Sequence, residues 1–347
     1  MVPGTDKVAV VTGGTAGVGR AAVHAFADAG YDVAILARGK AGLDAAVAAV
    51  RERGRRGLGI PTDVADAAAV HRAAAKVAGE LGVIDVWVNV AFVGSLAYSW
   101  DTTDAELRRI TEVTYLGQAH GTQAALAHMR PRDRGVIVNV GSALAYRSIP
   151  LQAAYCGAKH AVIGYTRSVI TELASENSNV KLCTIQLPGL NTPQFNWNLN
   201  KMPGHPMPVP PIFSPEVAAR GIVHIAEHPR RNMWVGLSTA YTILGDRLVP
   251  KLADLYLGRT GIAAQQTDPE LPAWGSNLFE AQDADVDRGP DGPFPRQAHR
   301  RDPWLWLSMR RDLVLAGVLA VAGGAVAAAI RGRGSGTAPG GGGLRTR

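Results

Sequence analysis

Tyr155 and Lys159 lie four residues apart in AYCGAKHA (154–161). On a helix such positions share one face, one turn apart. A phenol and an ammonium so placed can move a proton, because the positive charge favours phenolate and lowers a phenol whose free pKa is about 10. The same spacing also occurs as the polar edge of an ordinary helix. The rest of the chain has to decide between the two.

TGGTAGVG (12–19) carries a second chemistry. Gly13, Gly17 and Gly19 stand where a chain must turn sharply, approach a pyrophosphate and pack a helix close to a sheet, and each task needs a missing Cβ. The amides at the helix start, around Thr15, Ala16 and Val18, then face phosphates. The second apolar run ends in Arg38 rather than Asp or Glu. An acid there accepts from the ribose 2′-hydroxyl of NAD, whereas an arginine can pair with the 2′-phosphate of NADP. Asp63 follows the third run and is placed to cap the adenine end.

The elements that must position these groups alternate. KVAVVTG (7–13), YDVAILAR (31–38), GLGIPTDV (57–64), IDVWVNVA (84–91), GVIVNVGS (135–142) and VKLCTIQL (180–187) read as buried strands. Helical patterns lie between them. The longest covers 104–129, with Thr103 as N-cap and Glu106 completing a capping box. Helix 153–175 carries the Tyr–Lys pair, and NMWVG (232–236) reads as a last strand. This order predicts a doubly wound α/β fold, a parallel sheet with helices on both faces. The Pro-rich stretch 188–215 reads as a lid or binding loop. Ser214 and Pro215 then open another helix as N-cap and N1.

The 347 residues carry a net charge of +7, are 47% hydrophobic and have two cysteines, Cys156 and Cys183. The basic residues are scattered and form no stripe interleaved with aromatics, so no nucleic-acid partner is expected. Two cysteines make neither a disulfide framework nor a metal site. No metal is expected, and the globular part reads as cytoplasmic.

Taken together, the motifs resemble the short-chain dehydrogenase/reductase family over roughly residues 5–250. The matching motifs are TGGTAGVG, TDV (62–64, ending in Val64), Ser142 at the end of the fifth strand and YCGAK (155–159). The resemblance implies a Rossmann fold and a Ser142–Tyr155–Lys159 catalytic set. Tyr155 would act as general acid and base, Ser142 would hold the substrate oxygen, and Lys159 would also bind the nicotinamide ribose. With Arg38 at the end of the second strand, NADP is the expected cofactor, with NAD as the alternative. Tyr155 and Lys159 count among the cofactor contacts too.

Two positions depart from the family pattern. NVAF (89–92) replaces Asn-Asn-Ala-Gly. Asn89 and Ala91 are expected to line the cofactor, while Phe92 adds bulk beside the substrate. Thr114 stands where the family places an asparagine that holds a relay water, so Thr114 is expected to serve that catalytic relay with one hydroxyl. PGLNT (188–192) resembles the family's Pro-Gly loop and assigns Pro188, Gly189 and Thr192 to the cofactor. Leu144, Gln152, Phe195 and Trp197 are expected around an apolar substrate.

Beyond the domain at 1–250, residues 251–312 read as an extension or linker, partly disordered. Residues 313–330 form an 18-residue run without a charge, about 27 Å long as a helix. They are expected to associate with a membrane, with Trp304 and Trp306 at the interface; packing on the protein or on a partner subunit is the alternative. Residues 331–347 read as a disordered tail. A homodimer or homotetramer is expected. The resulting expectation is an oxidoreductase interconverting a secondary alcohol and a carbonyl on an apolar small molecule. The rival is a non-catalytic NADP-binding or sensing protein that keeps the fold.

Overall fold

Short apolar runs ending in glycine-rich turns build the centre of the molecule. The computed structural model describes residues 7–267 and 270–312. Strands β1 (Val8–Thr12), β2 (Asp32–Ala37), β3 (Gly57–Pro61), β4 (Ile84–Asn89), β5 (Val136–Ser142), β6 (Lys181–Leu187) and β7 (Asn232–Trp234) form one seven-stranded sheet. Every pairing is parallel, and the order is β3-β2-β1-β4-β5-β6-β7. All residues of β1 and β2 are buried, as a sheet covered on both faces requires. The order reverses between β1 and β4, which opens a crevice at the carboxyl ends of these strands.

Helices α1 (Gly17–Asp28), α2 (Lys40–Glu52) and α3 (Ala67–Glu80) connect the first four strands. The expected helix 104–129 is broken into α4 (Asp104–Thr111) and α5 (Gly117–Met129) by a wider π turn, Glu112–Leu116. The Thr103–Glu106 capping box forms at its start. At the break, a Cβ on Gly117 would lie 2.6 Å from the Val64 side chain, so glycine lets the helix pass close to the segment after β3. Helix α6 (Ala153–Ser175) is followed by the short α7 (Gln194–Trp197), α8 (Pro215–Glu227), α9 (Leu237–Leu248) and α10 (Pro250–Thr260). Pro215 opens α8, but Ser214 makes no side-chain cap.

The stretch after α10 corrects the linker expectation. The described residues up to Leu305 belong to one compact unit with the sheet. Gln266–Thr267 pairs antiparallel with His205–Pro206. Ala298–His299 pairs with Ile212–Phe213, which in turn pairs with Gly189–Leu190. Leu278 is completely buried in the core beside Val64 and Ile110. The extension has no helical or strand period because its backbone groups bond to other segments rather than to neighbours in its own element.

Among the described residues no helix is long and apolar enough to cross a membrane. The apolar run 313–330 and the tail 331–347 lie outside the described residues.

Candidate active site

The glycine turn is built as its spacing requires. Gly13 has φ +67, and a Cβ there would sit 2.8 Å from the Ala91 Cα. A Cβ on Gly19 would lie 2.1 Å from the Gly13 carbonyl oxygen. Gly17, at φ +53, faces Thr192 at 3.2 Å from its would-be Cβ. The N-cap residue Ala16 supplies no side-chain cap to α1, so the helix start keeps its character as an anion site. The Gly17 amide donates to the Gly289 carbonyl at 3.1 Å, an unexpected contact from the extension.

This turn opens one end of a cavity of about 720 Å³ that runs along the carboxyl ends of the strands. Gly13, Thr15, Ala16, Gly17, Val18 and Gly19 line it, as do Arg38, Asp63, Val64 and Ala91. Pro188, Gly189 and Thr192 close it from the lid side. A cradle that Cβ atoms would fill, beside an uncapped helix start in a cavity of this size, fits a dinucleotide.

Ser142 ends β5 in an extended conformation, and its Oγ accepts from the Leu144 amide at 3.1 Å. Helix α6 turns Tyr155 and Lys159 to the same wall, so all three expected catalytic residues line the cavity. Burial pushes the Tyr155 phenol well above its usual range, and a hydrogen bond with Ser142 offsets this only in part. Lys159 is 2% exposed. Burial pulls its ammonium down to about 7, and its Nζ donates to the Val140 carbonyl at 2.7 Å. The same Nζ lies 5.7 Å from the ring centroids of both Tyr155 and Phe92. The Phe92 ring meets Tyr155 edge-on, with centroids 5.7 Å apart.

Several expected roles are corrected. Asn89 does not line the cavity. It is fully buried, donates to Gln118, Thr122 and Asn139, and accepts from Trp87 Nε1 at 2.8 Å. Its amide joins β4 to α5 and β5. Thr114 does not line the cavity either. Its hydroxyl donates to the Val93 carbonyl at 2.7 Å and accepts from the Val93 amide at 3.1 Å. Thr114, within the π turn, is thus bonded to the loop after β4.

Two further residues line the cavity with their charges already engaged. Burial raises the Asp63 carboxyl, but hydrogen bonds from Arg109 and the Ala65 amide outweigh it and hold the group below its usual value. Arg38 donates through Nη1 to Phe279 and through Nη2 to Asn277 and Glu280, in each case to a backbone carbonyl.

The residues expected around a substrate line the same cavity. Phe92, Leu144, Gln152, Phe195 and Trp197 all line it. Gln152 donates to Gln265 at 2.7 Å, and Phe195 packs edge-on against Phe294 at 6.0 Å. Val249, Leu252 and Tyr256 of α9–α10 extend the wall. These, with Asn277, Gln282 and Asp283 of the extension, were not legible as site residues. An acidic run, DADVD (283–287), was the available signal.

The short chain dehydrogenase family matches residues 7–203, more than half of the chain. The chain belongs to the short-chain dehydrogenase family. The chain is 30% identical over 321 residues to the uncharacterized oxidoreductase YxnA of Bacillus subtilis, covering 91% of this chain and 88% of that one. A short-chain dehydrogenase from Streptomyces avermitilis is 26% identical with a TM-score of 0.62, over 75% of this chain and 98% of that one. One from Burkholderia phymatum, solved in complex with NAD, shares the fold at 23% identity with a TM-score of 0.62, covering 78% and 99%. The chain is therefore an oxidoreductase of this family, on a Rossmann-like sheet.

Proposed function

We propose that the chain interconverts a secondary alcohol and a carbonyl on an apolar small molecule with NAD(P), using Tyr155 as general acid and base. The observation that carries this reading is that Ser142, Tyr155 and Lys159 meet on one wall of the cavity that the glycine turn opens. Gly13, Gly17, Gly19 and Thr192 would hold the dinucleotide. When bound, its nicotinamide supplies or accepts the hydride.

Tyr155 gives a proton to the carbonyl oxygen in reduction and takes it back in oxidation. Its raised phenol suits donation to an alkoxide and makes it a reluctant base. Lys159, with an ammonium near 7, carries part of a positive charge at neutral pH and favours phenolate from the adjacent turn. Ser142 holds the substrate oxygen beside the phenol. With Thr114 bonded to Val93, the proton returns to solvent along the cavity rather than through that threonine.

Tyr155→Phe tests the reading. Dinucleotide binding is retained and turnover falls about 10²–10⁴-fold; unchanged turnover removes Tyr155 from the reaction. A wild type that binds the dinucleotide tightly but is inert towards aldehydes, ketones and quinones favours the non-catalytic alternative.

A further inference from the structure

We propose that Asp283, from the C-terminal extension, is the residue that selects the cofactor, accepting from the adenosine ribose 2′-hydroxyl and so favouring NAD(H) over NADP(H). The inference deepens the dinucleotide reading above and rests on it.

In this fold the residue that ends the second strand faces the adenosine ribose. Here that residue is Arg38, which alone favours NADP. Its guanidinium is instead held by the carbonyls of Asn277, Phe279 and Glu280. A phosphate must displace these bonds to pair with it.

Asp283 occupies the neighbouring ground. The Gly42 amide donates to its carbonyl at 3.1 Å, and the Ala41 amide donates to Ala284 at 2.9 Å, which pins the segment to the start of α2. The carboxylate lies directly on two glycines. A Cβ on Gly39 would come 1.9 Å from its Oδ1, and one on Gly42 would come 2.5 Å from its Oδ2 and 2.8 Å from the Thr15 Cβ. The group therefore sits between the glycine turn and the residue after Arg38, on the cavity wall.

Asp283 is 6% exposed, and its carboxylate accepts no hydrogen bond from any described residue. A buried carboxylate without a donor is unfavourable, and a hydroxyl supplies the donor. A phosphate dianion at the same place meets a like charge in a poorly solvated pocket. Both effects act in one direction.

The test is direct binding, read from the fluorescence of NADH and NADPH titrated with the full chain. Wild type binds NADH at least about tenfold more tightly than NADPH, a ratio set by one charge-assisted hydrogen bond. Asp283→Asn brings the two affinities close together. 2′-Deoxy-NADH, which lacks the donor, binds wild type about tenfold more weakly than NADH; this arm needs no variant. A wild type that prefers NADPH, or that binds 2′-deoxy-NADH as well as NADH, overturns the assignment alone. Failure to bind any of these dinucleotides overturns it together with the oxidoreductase reading.

Discussion

The Arg38 guanidinium donates to the Asn277 carbonyl at 2.5 Å, joining the end of β2 to a residue 239 positions later. Arg109 does the same on the other side, donating to the Leu278 carbonyl at 3.0 Å. Arg20, 4% exposed, pairs with Asp287 at 3.2 Å. Three arginines of the nucleotide half thus hold the extension along the cavity.

That arrangement makes the extension part of the domain. Leu278→Ala removes a completely buried side chain and is expected to destabilise the whole unit by about 2–5 kcal/mol. Urea unfolding followed by circular dichroism checks it. A variant as stable as wild type would show that the extension docks without contributing to the core.

Thr114→Val leaves the buried amide and carbonyl of Val93 without their partner. The expected loss is about 1–3 kcal/mol of stability, restored by Thr114→Ser, with turnover retained. Steady-state kinetics alongside denaturation separate the two roles. Lost turnover at unchanged stability would return Thr114 to the proton relay.

Lys159 gives stability a pH dependence. Its folded pKa of about 7 lies below the ordinary value of 10.5. Between these values the unfolded chain holds a proton that the folded chain lacks, so stability rises with pH, by roughly 1.4 kcal/mol per unit at most. The contribution is fully present above 10.5 and is lost as pH falls through 7. Lys159→Met, compared with wild type in urea at pH 7 and pH 9, is expected to abolish this rise. Identical slopes for the two proteins would count against a desolvated ammonium.

Phe92 stands edge-on to Tyr155 and lines the cavity. Phe92→Ala widens the site where the family carries glycine. Bulkier carbonyl substrates are expected to gain about tenfold in relative kcat/KM, measured by competition between a small and a large ketone. A preference that does not move would confine Phe92 to packing.

The sequence by itself determined the sheet and the chemistry-bearing turns. Apolar runs of strand length, alternating with helical patterns, leave a doubly wound parallel sheet as the packing that buries them. Glycines at 13, 17 and 19 mark the nucleotide turn because their positions exclude a Cβ. Ser142, Tyr155 and Lys159 were legible because a strand end and an i, i+4 helix pair fix direction locally.

Tertiary structure alone decided what each polar group faces. Asn89 and Thr114 lie at the expected places in the chain, yet one holds β4 to α5 and the other holds Val93. Thr114 lies in the wider turn at 112–116, and no local pattern marks that turn. The extension was hidden for a related reason. A segment that satisfies its backbone by bonding to distant residues carries no period, so its polar, Pro-rich sequence reads as a linker. Only its fold against α1, α2 and β2 brings Asp283 to the cavity and engages the Arg38 guanidinium there.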